Sequence, residues 1–544
     1  MLMAPAFTQT RTIGIFVNDT AQVYKGYTLF APKQNTMTYL INNEGRLIHQ
    51  WTASKYPPGQ SVYLLENGNL LRTCMTKGQL SSGGGEGGRV EEYDWNDNLV
   101  WELDFSTATY MQHHDIKRLP NGNIIMLVIE KKTYADCLAA GFNPAKFQPE
   151  IQQKGMMVPD YIVEIKPTYP SGGTVVWEWH TWDHLVQDFD ATKANYGDPK
   201  AHLELVDCDG DGRNLPAFWN HMNSIDYNPE FDQIAVSVRG NSEVWIIDHS
   251  TTTAEAKEHT GGKRGKGGDL IYRWGNPMAY GAGTKSDQRY FEQHDVEWVL
   301  PGRPGAGNMT CFNNGLGRGG NIIYSTVDEF TPVVDTNGNY SVVAGSAFTP
   351  KDFTWTYQGT AANPLYSENI SGAYRLPNGN TILCSGTIGL FLEVTAAKQI
   401  VWKYICPVDQ TGPLMQGSLP PADPARTAET MNSVFRVYKY PLDYAAFTGR
   451  DMTPGDFIEK YATAVEDILD EQSDIKGYPN PFSTHIQVSG ITGLETFELL
   501  SSCGQAVWAG SNIGQQNFSP LVAGMYYLKV KGQNTTKTIK LIKQ

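Results

Sequence analysis

A short phrase recurs along this chain from about residue 35 to 407: a turn containing Gly or Asn, a β-rich run, then Trp. It occurs in Asn43–Trp51, Asp97–Trp101, Gly172–Trp179, Gly268–Trp274 and Ala397–Trp402. A second phrase sets an Asn-Gly pair between apolar residues, in Glu66–Leu71, Leu119–Met126 and Leu376–Leu383. Asn and Gly tolerate positive φ, so the pair predicts tight hairpin turns. Together the two phrases describe a unit of strand, turn, strand, then a strand ending in Trp. Such a unit cannot bury both faces alone and must stack on copies of itself. Trp-ended strands near 51, 101, 179, 274, 355 and 402 predict an all-β chain folded as a β-propeller of about six blades, with each Trp wedged between neighbouring sheets. The alternative is a β-sandwich with chance internal similarity.

Composition agrees with that architecture and narrows the function. Gly totals 54, Trp 13 and Tyr 28, while charged residues make up only 18%, as suits short strands and tight turns rather than helical bundles. The net charge of −14 repels phosphate backbones, so nucleic acid is excluded as a partner. The one basic stretch, Lys257–Lys266, is Gly-rich and brief and reads as a solvated loop. No apolar run of about 18 residues occurs, so no transmembrane helix is expected. The seven Cys contain no CxxC pair, which argues against zinc-finger and redox motifs.

The chain divides into four parts. Residues 1–20 read as the tail of a signal peptide or as a disordered terminus. Residues 21–440 hold the repeats, with long insertions that contain the helix-like stretches 133–141 and 180–194. Residues 441–472 read as a closing segment and linker, with an amphipathic stretch at 454–469, and residues 473–544 as a small β-sandwich domain.

That last domain resembles the C-terminal sorting domain of the type IX secretion system. The resemblance rests on Tyr478–Phe482 (YPNPF), Gly524–Val530 (GMYYLKV) and the basic terminal strand Thr538–Lys543. It implies export through the outer membrane, by way of the periplasm, to the medium or the cell surface, with the secretion machinery as a partner. An immunoglobulin-like or sugar-binding module is the alternative.

Residues about 25–440 resemble the arylsulfate sulfotransferase family. The matching stretches are Trp219–Asp226 (WNHMNSID), Asp232–Arg239, Glu243–Asp248, Gln293-His294-Asp295, Asn313–Arg318, Ser371–Asn380 and Gly389–Val394. The resemblance implies a six-bladed propeller that moves a sulfuryl group from a phenolic sulfate to another phenol through a sulfated histidine, with no cofactor. It sets His221, His294 and Arg318 on the sulfate-handling His, His and Arg positions. His114, Asn223, Asp295 and Tyr374 are the accompanying substrate-binding candidates, and His113-His114-Asp115 repeats the Gln293-His294-Asp295 unit in an earlier blade. The residue types suit the chemistry. A guanidinium offers a fork of donors to sulfuryl oxygens, and neutral imidazoles serve as nucleophile and proton carrier. The family's carrier histidine belongs in a later blade, where Tyr366–Gly372 offers Ser, Tyr and Glu, and no His lies between 294 and 485. Either His294, His221 or His114 carries the group, or the chain has lost that chemistry.

Two rival readings follow. One is a non-catalytic surface or matrix propeller that binds a partner, a glycan or further copies of itself as a homo-oligomer. The other is a sulfated-polysaccharide lyase or hydrolase on the same scaffold, using Tyr374 or Glu368. Separately, Asp207-Cys-Asp209-Gly-Asp211-Gly alternates carboxylates around glycines, as a structural Ca²⁺ loop requires, although Phe218 stands where a bidentate Glu is expected. A plain acidic turn is the alternative.

Overall fold

The computed structural model describes residues 11–544 except 77, 79, 81–83, 211, 321–322, 427, 462–474, 502–504 and 533–535. The chain forms two compact units, Met1–Lys460 and Tyr461–Gln544.

The first unit is a β-propeller whose described residues form six large antiparallel sheets in chain order. The first takes its innermost strand, Val434–Pro441, from the far end of the unit and continues outward through Gly26–Pro32, Thr38–Ile41 and Leu47–Trp51. The innermost strands of the next five are Pro58–Leu64, Tyr110–Arg118, Met222–Asn228, His294–Trp298 and Ser371–Arg375. These six inner strands touch their neighbours in a closed ring. Pairing of the last strand with the first sheet removes the exposed edges an open array would leave.

The recurring Trp closes the ring at its periphery. Trp51 Nε1 donates to the Asp94 carbonyl, Trp101 to Gly172, Trp179 to Gly268, Trp274 to Pro350, Trp355 to Ala396, and Trp402 to Asn43 in the first sheet, at 2.6–2.9 Å. Each indole thus crosses to the turn of the following sheet with its one donor satisfied, which lets the rings of Trp51, Trp101, Trp179, Trp274 and Trp402 be buried, while Trp355 is half-buried. Apolar side chains fill six layers between adjacent sheets, such as Ile234, Val236 and Trp245 against Ile125, Leu127 and Trp179.

The Asn-Gly turns use a different device from the one expected. Gly68, Gly122 and Gly379 have φ of +87°, +86° and +86°, but their Asn partners do not have positive φ. Each Gly N–H donates to the carbonyl three residues back, at 2.8–3.0 Å. Asn67, Asn121 and Asn378 instead accept the N–H two residues on through their side chains, at 2.9–3.1 Å. The turn is therefore three residues with a bulge, and Asn acts by local hydrogen bonding rather than by left-handed backbone.

Several boundaries differ from the sequence reading. Within the supposed terminus, Gly14–Asn18 is a strand on the outer edge of the sixth sheet, paired with Ile400–Ile405. Residues 441–460 pack on the propeller rather than linking it onward: Ala446 and Phe447 are buried, Phe457 bridges to Arg46 and Lys460 to Met415. A helix forms at Tyr134–Ala139, capped by Thr133, and another at Pro149–Lys154. The stretch 180–194 forms only a single 3-10 turn, Thr181–Asp183, because Leu185–Val186 pairs with Val206–Asp207 and Gln187 holds a local turn through Phe189 and Asp190. Half of the amphipathic stretch 454–469, residues 462–469, lies outside the described residues.

The second unit holds a four-stranded antiparallel sheet, ordered Ala506–Gly510, Thr496–Ser501, Gly524–Lys531, Thr536–Lys543, and a two-stranded ribbon of Lys476–Tyr478 with Gln487–Ser489. Phe482, Ile486, Leu499 and Leu528 form its core. No helix among the described residues is long and apolar enough to cross a membrane.

Candidate functional site

The inner strands carry bulges where the sequence sets its histidines. In the third sheet Gln112 pairs with Val128 and Ile116 with Met126, so His113, His114 and Asp115 together oppose one residue. Asn223 is the extra residue of the fourth sheet, and Asp295 and Val296 form the bulge of the fifth. His114, His221 and Asp295 have φ of +46°, +52° and +64°. A bulge breaks the in-out alternation of a strand and re-aims its side chains. Adjacent residues here serve different layers: the imidazoles of His114 and His294 line a cavity, while Asp115 and Asp295 turn to the propeller axis.

At the axis stands Arg436, on the inner strand of the first sheet. Its Nη1 lies 2.7 Å from Asp115 Oδ2 and its Nε 2.9 Å from Asp295 Oδ1, and its Nη2 donates to the Asn223 carbonyl at 2.7 Å. Asp115 also accepts Ile225 N–H, and Asp295 accepts Ala373 N–H, each from the next sheet. One buried cation thus ties four sheets together. Burial pushes the Asp295 carboxyl well up despite the opposing guanidinium.

The cavity has a volume of 430 Å³, and its wall includes His114, His221, His294, Arg239, Lys33 and Glu368. A second cavity of 540 Å³ shares His221 and Arg239 with it and adds Phe218 and Trp219. Gly84 and Gly85 lie against the imidazoles; a Cβ on Gly85 would meet His114 Cε1 at 1.8 Å. The His114 and His221 rings are 5.1 Å apart, and Phe218 stacks on His221 at 4.1 Å.

Hydrogen bonds set the tautomer of His294. The Asn314 amide donates to the Ser367 carbonyl at 2.8 Å and to Ser371 Oγ at 3.1 Å, so its oxygen must accept. His294 Nδ1 lies 2.8 Å from that oxygen and therefore carries the proton, leaving the lone pair of the neutral ring on Nε2. Burial, aided by Arg239, pushes His294 down to about 3, so the ring is neutral at physiological pH. His114 belongs to a chain of groups: Asp160 Oδ1 lies 2.9 Å from His113 Nε2, and His113 Nδ1 lies 2.8 Å from His114 Nδ1. Burial raises the Asp160 carboxyl although it faces His113; where Asp160 is ionised, this order puts the His114 lone pair on Nε2. Burial and the neighbouring imidazoles hold His114 well below the ordinary range, as burial and Arg239 do His221.

The structure brings His114, His221 and His294 together but places Arg318 elsewhere. That guanidinium packs over Tyr324 and Phe291 at 4.5 and 5.1 Å and donates to Thr326 Oγ1; it is not on the wall of the histidine cavity. The arginine on that wall is Arg239, paired with Glu292, its Nε buried without a partner among the described residues. Asn223 is a framework residue that donates to the Gln293 carbonyl at 2.8 Å. Tyr374 is buried between the first and sixth sheets, its hydroxyl on the Lys439 backbone, and burial pushes it up. Glu368, Asn369 and Ile370 line the wall from the segment where the family resemblance sets a carrier histidine.

The acidic loop reaches the second cavity, whose wall includes Asp209 and Gly210. Asp207 Oδ1 accepts Asp209 N–H at 2.9 Å, and burial pushes Asp207 up to about 7 and raises Asp209 as well. Asp211 lies outside the described residues.

Comparison with known proteins gives two family matches. Residues 15–411 match the model of arylsulfotransferase (ASST), and residues 476–544 that of the secretion system C-terminal sorting domain. The sorting domain marks the protein for secretion or display at the cell surface. No curated protein matches. Similar solved structures include a protein of unknown function from Bacteroides caccae, at 10% identity and a TM-score of 0.38, covering 77% of this chain and 99% of that one. A periplasmic gluconolactonase from Pseudomonas aeruginosa, at 10% identity and 0.34, covers 74% of this chain and 87% of its own.

Proposed function

The chain belongs to the arylsulfotransferase family, and from that premise we propose that it is an exported enzyme that moves a sulfuryl group from a phenolic sulfate ester to a phenol through His294. The observation that carries the reading is the His294 ring itself: buried, neutral, and oriented by Asn314 so that Nε2 keeps its lone pair on a cavity wall shared with Arg239.

In the first half-reaction Nε2 attacks sulfur. An N–S bond forms, the S–O bond to the aryl group breaks, and the aryl oxide leaves as the anion. Arg239, through its unpartnered Nε, takes the charge that gathers on the sulfuryl oxygens. In the second half, His114 Nε2 accepts the proton of the incoming phenol, the phenol oxygen attacks sulfur, and the N–S bond breaks to restore His294. The Asp160–His113 pair behind His114 stabilises the transient imidazolium, and the proton then passes to solvent. A structural Ca²⁺ at Asp207 and Asp209 belongs to the same proposal, read by a fall in melting temperature with EGTA that Ca²⁺ reverses.

The test mixes purified protein with 4-nitrophenyl sulfate and excess phenol. Phenol-dependent release of nitrophenol, lost in His294→Ala and in Arg239→Ala, supports the reading. No release from folded protein refutes it. The second reading, a surface propeller that binds without chemistry, then takes its place, and the Glu368-Asn369-Ile370 wall is the observation in its favour.

A further inference from the structure

Away from the axis, the loop after the third sheet meets the basic stretch 257–266. His184 is fully buried there, with its ring parallel to Trp179 at 5.6 Å. His184 Nε2 lies 2.8 Å from the Ala256 carbonyl. A carbonyl only accepts, so Nε2 carries the proton, and in the neutral ring Nδ1 carries a lone pair. That lone pair points at Asp269 Oδ1, 2.9 Å away, and His259 Nδ1 reaches the same oxygen at 2.7 Å. With the ring neutral these are two acceptors set face to face, and either a second proton on His184 or a bound cation satisfies them. The ligand atoms of His184, His259 and Asp269 all lie within 4.8 Å of one another.

We propose that His184, His259 and Asp269 form a binding site for a divalent first-row transition metal of the zinc class. Two imidazole nitrogens and one carboxylate oxygen are the ligands zinc takes, whereas Ca²⁺ requires an all-oxygen shell. The site is built on fixed backbone. Glu258 O accepts Gly268 N–H at 3.0 Å, and a Cβ on Gly268 would meet the Ala256 carbonyl at 2.0 Å and His184 Nε2 at 2.6 Å, so glycine is required there. Within the same loop Arg264 pairs with Asp248 at 2.8 Å and donates to the Phe231 carbonyl at 2.6 Å. The stretch that reads as a solvated basic loop is thus held at both ends, and a metal would staple it to the third sheet. His259 is exposed and also lines a cleft of 470 Å³ with His202, Trp182 and Tyr196. Three protein ligands, of which His259 reaches the cleft, leave the fourth position to water or a small ligand.

The test uses the full chain stripped with EDTA and titrated with ZnCl₂ by calorimetry, and with CoCl₂ by visible absorption. Expected are one equivalent of Zn²⁺ and the d–d bands of a tetrahedral Co²⁺ site. His259→Ala, which alters an exposed side chain and leaves folding intact, should weaken Zn²⁺ at least about 100-fold and abolish the bands. Asp269→Asn should do the same, and His202→Ala, on the same cleft, should change neither. Zn²⁺ binding of equal strength in wild type and His259→Ala would overturn the proposal, as would no uptake by wild type. The pair would then be a buried hydrogen-bonded His184–Asp269 contact.

Discussion

Arg436→Met is the substitution that most directly probes how this propeller is held at its axis. Methionine keeps much of the volume and removes the charge. Arg436 contacts Asp115 at 2.7 Å and Asp295 at 2.9 Å, with all three side chains at most 3% exposed. Removing one partner of a buried pair costs roughly 3–5 kcal/mol, because the other charge is left uncompensated. The Asn223 carbonyl, which now accepts from Nη2, loses its donor and adds about 1 kcal/mol. The expected loss is therefore about 4–6 kcal/mol near neutral pH, read from urea unfolding of wild type and variant. The pH dependence has a definite sign. Burial already holds Asp295 well above its ordinary value, and loss of the guanidinium removes an opposing influence. A carboxyl whose folded pKa exceeds its unfolded value of about 3.9 binds protons better when folded. The deficit of the variant is thus full above the raised folded pKa and shrinks as pH falls toward about 4. Adding Asp115→Asn and Asp295→Asn to the variant should recover most of the loss. A deficit below about 1 kcal/mol, or one that grows on acidification, would refute the reasoning.

Other outcomes follow from the same geometry. Asn314→Leu frees the His294 tautomer and should lower sulfuryl transfer about 10–100-fold, whereas Arg318→Ala, on a side chain packed over Tyr324 and Phe291, should change it less than about 3-fold in the 4-nitrophenyl sulfate assay. His249 is pushed up to about 9, since hydrogen bonds to Asp232 and Glu164 outweigh its burial. Its contribution, up to about 3 kcal/mol, is complete below about pH 6.5 and lost as pH rises through the folded value, so His249→Gln should flatten urea-measured stability across that window. Deletion from 441 onward uncovers Tyr27 and Trp95, which pack on Phe447, and should lower the melting temperature of the propeller.

The sheet repeat was legible because one residue type marks it: a Trp whose indole must find a carbonyl in the next sheet recurs once per unit. The histidines were legible because each sits in a short local phrase. Arg239 lay inside a quoted motif without any local sign that it, rather than Arg318, reaches the cavity. What separates the two is tertiary: aromatic rings at 291 and 324 capture Arg318. Arg436 carries no signal in its own neighbourhood. It meets Asp115, 321 residues away, only because the last strand closes the first sheet. The His184–His259–Asp269 cluster was hidden for the same reason, since its members come from two insertions that read as a helix and a solvated loop.

The backbone links the axis to the cavity. Left-handed φ at a non-glycine residue costs about 1–3 kcal/mol and persists only where surrounding contacts over-determine it. Here it occurs at His114, His221, Glu292, Asp295 and Ile370, within or beside the inner strands. Arg436 supplies the over-determination. By gripping Asp115, the Asn223 carbonyl and Asp295, it fixes one residue in each of the three bulges that aim His114, His221 and His294. The cation that never reaches the cavity thus sets the spacing of the imidazoles that do, and the same strain that destabilises each bulge alone holds the three rings on one wall.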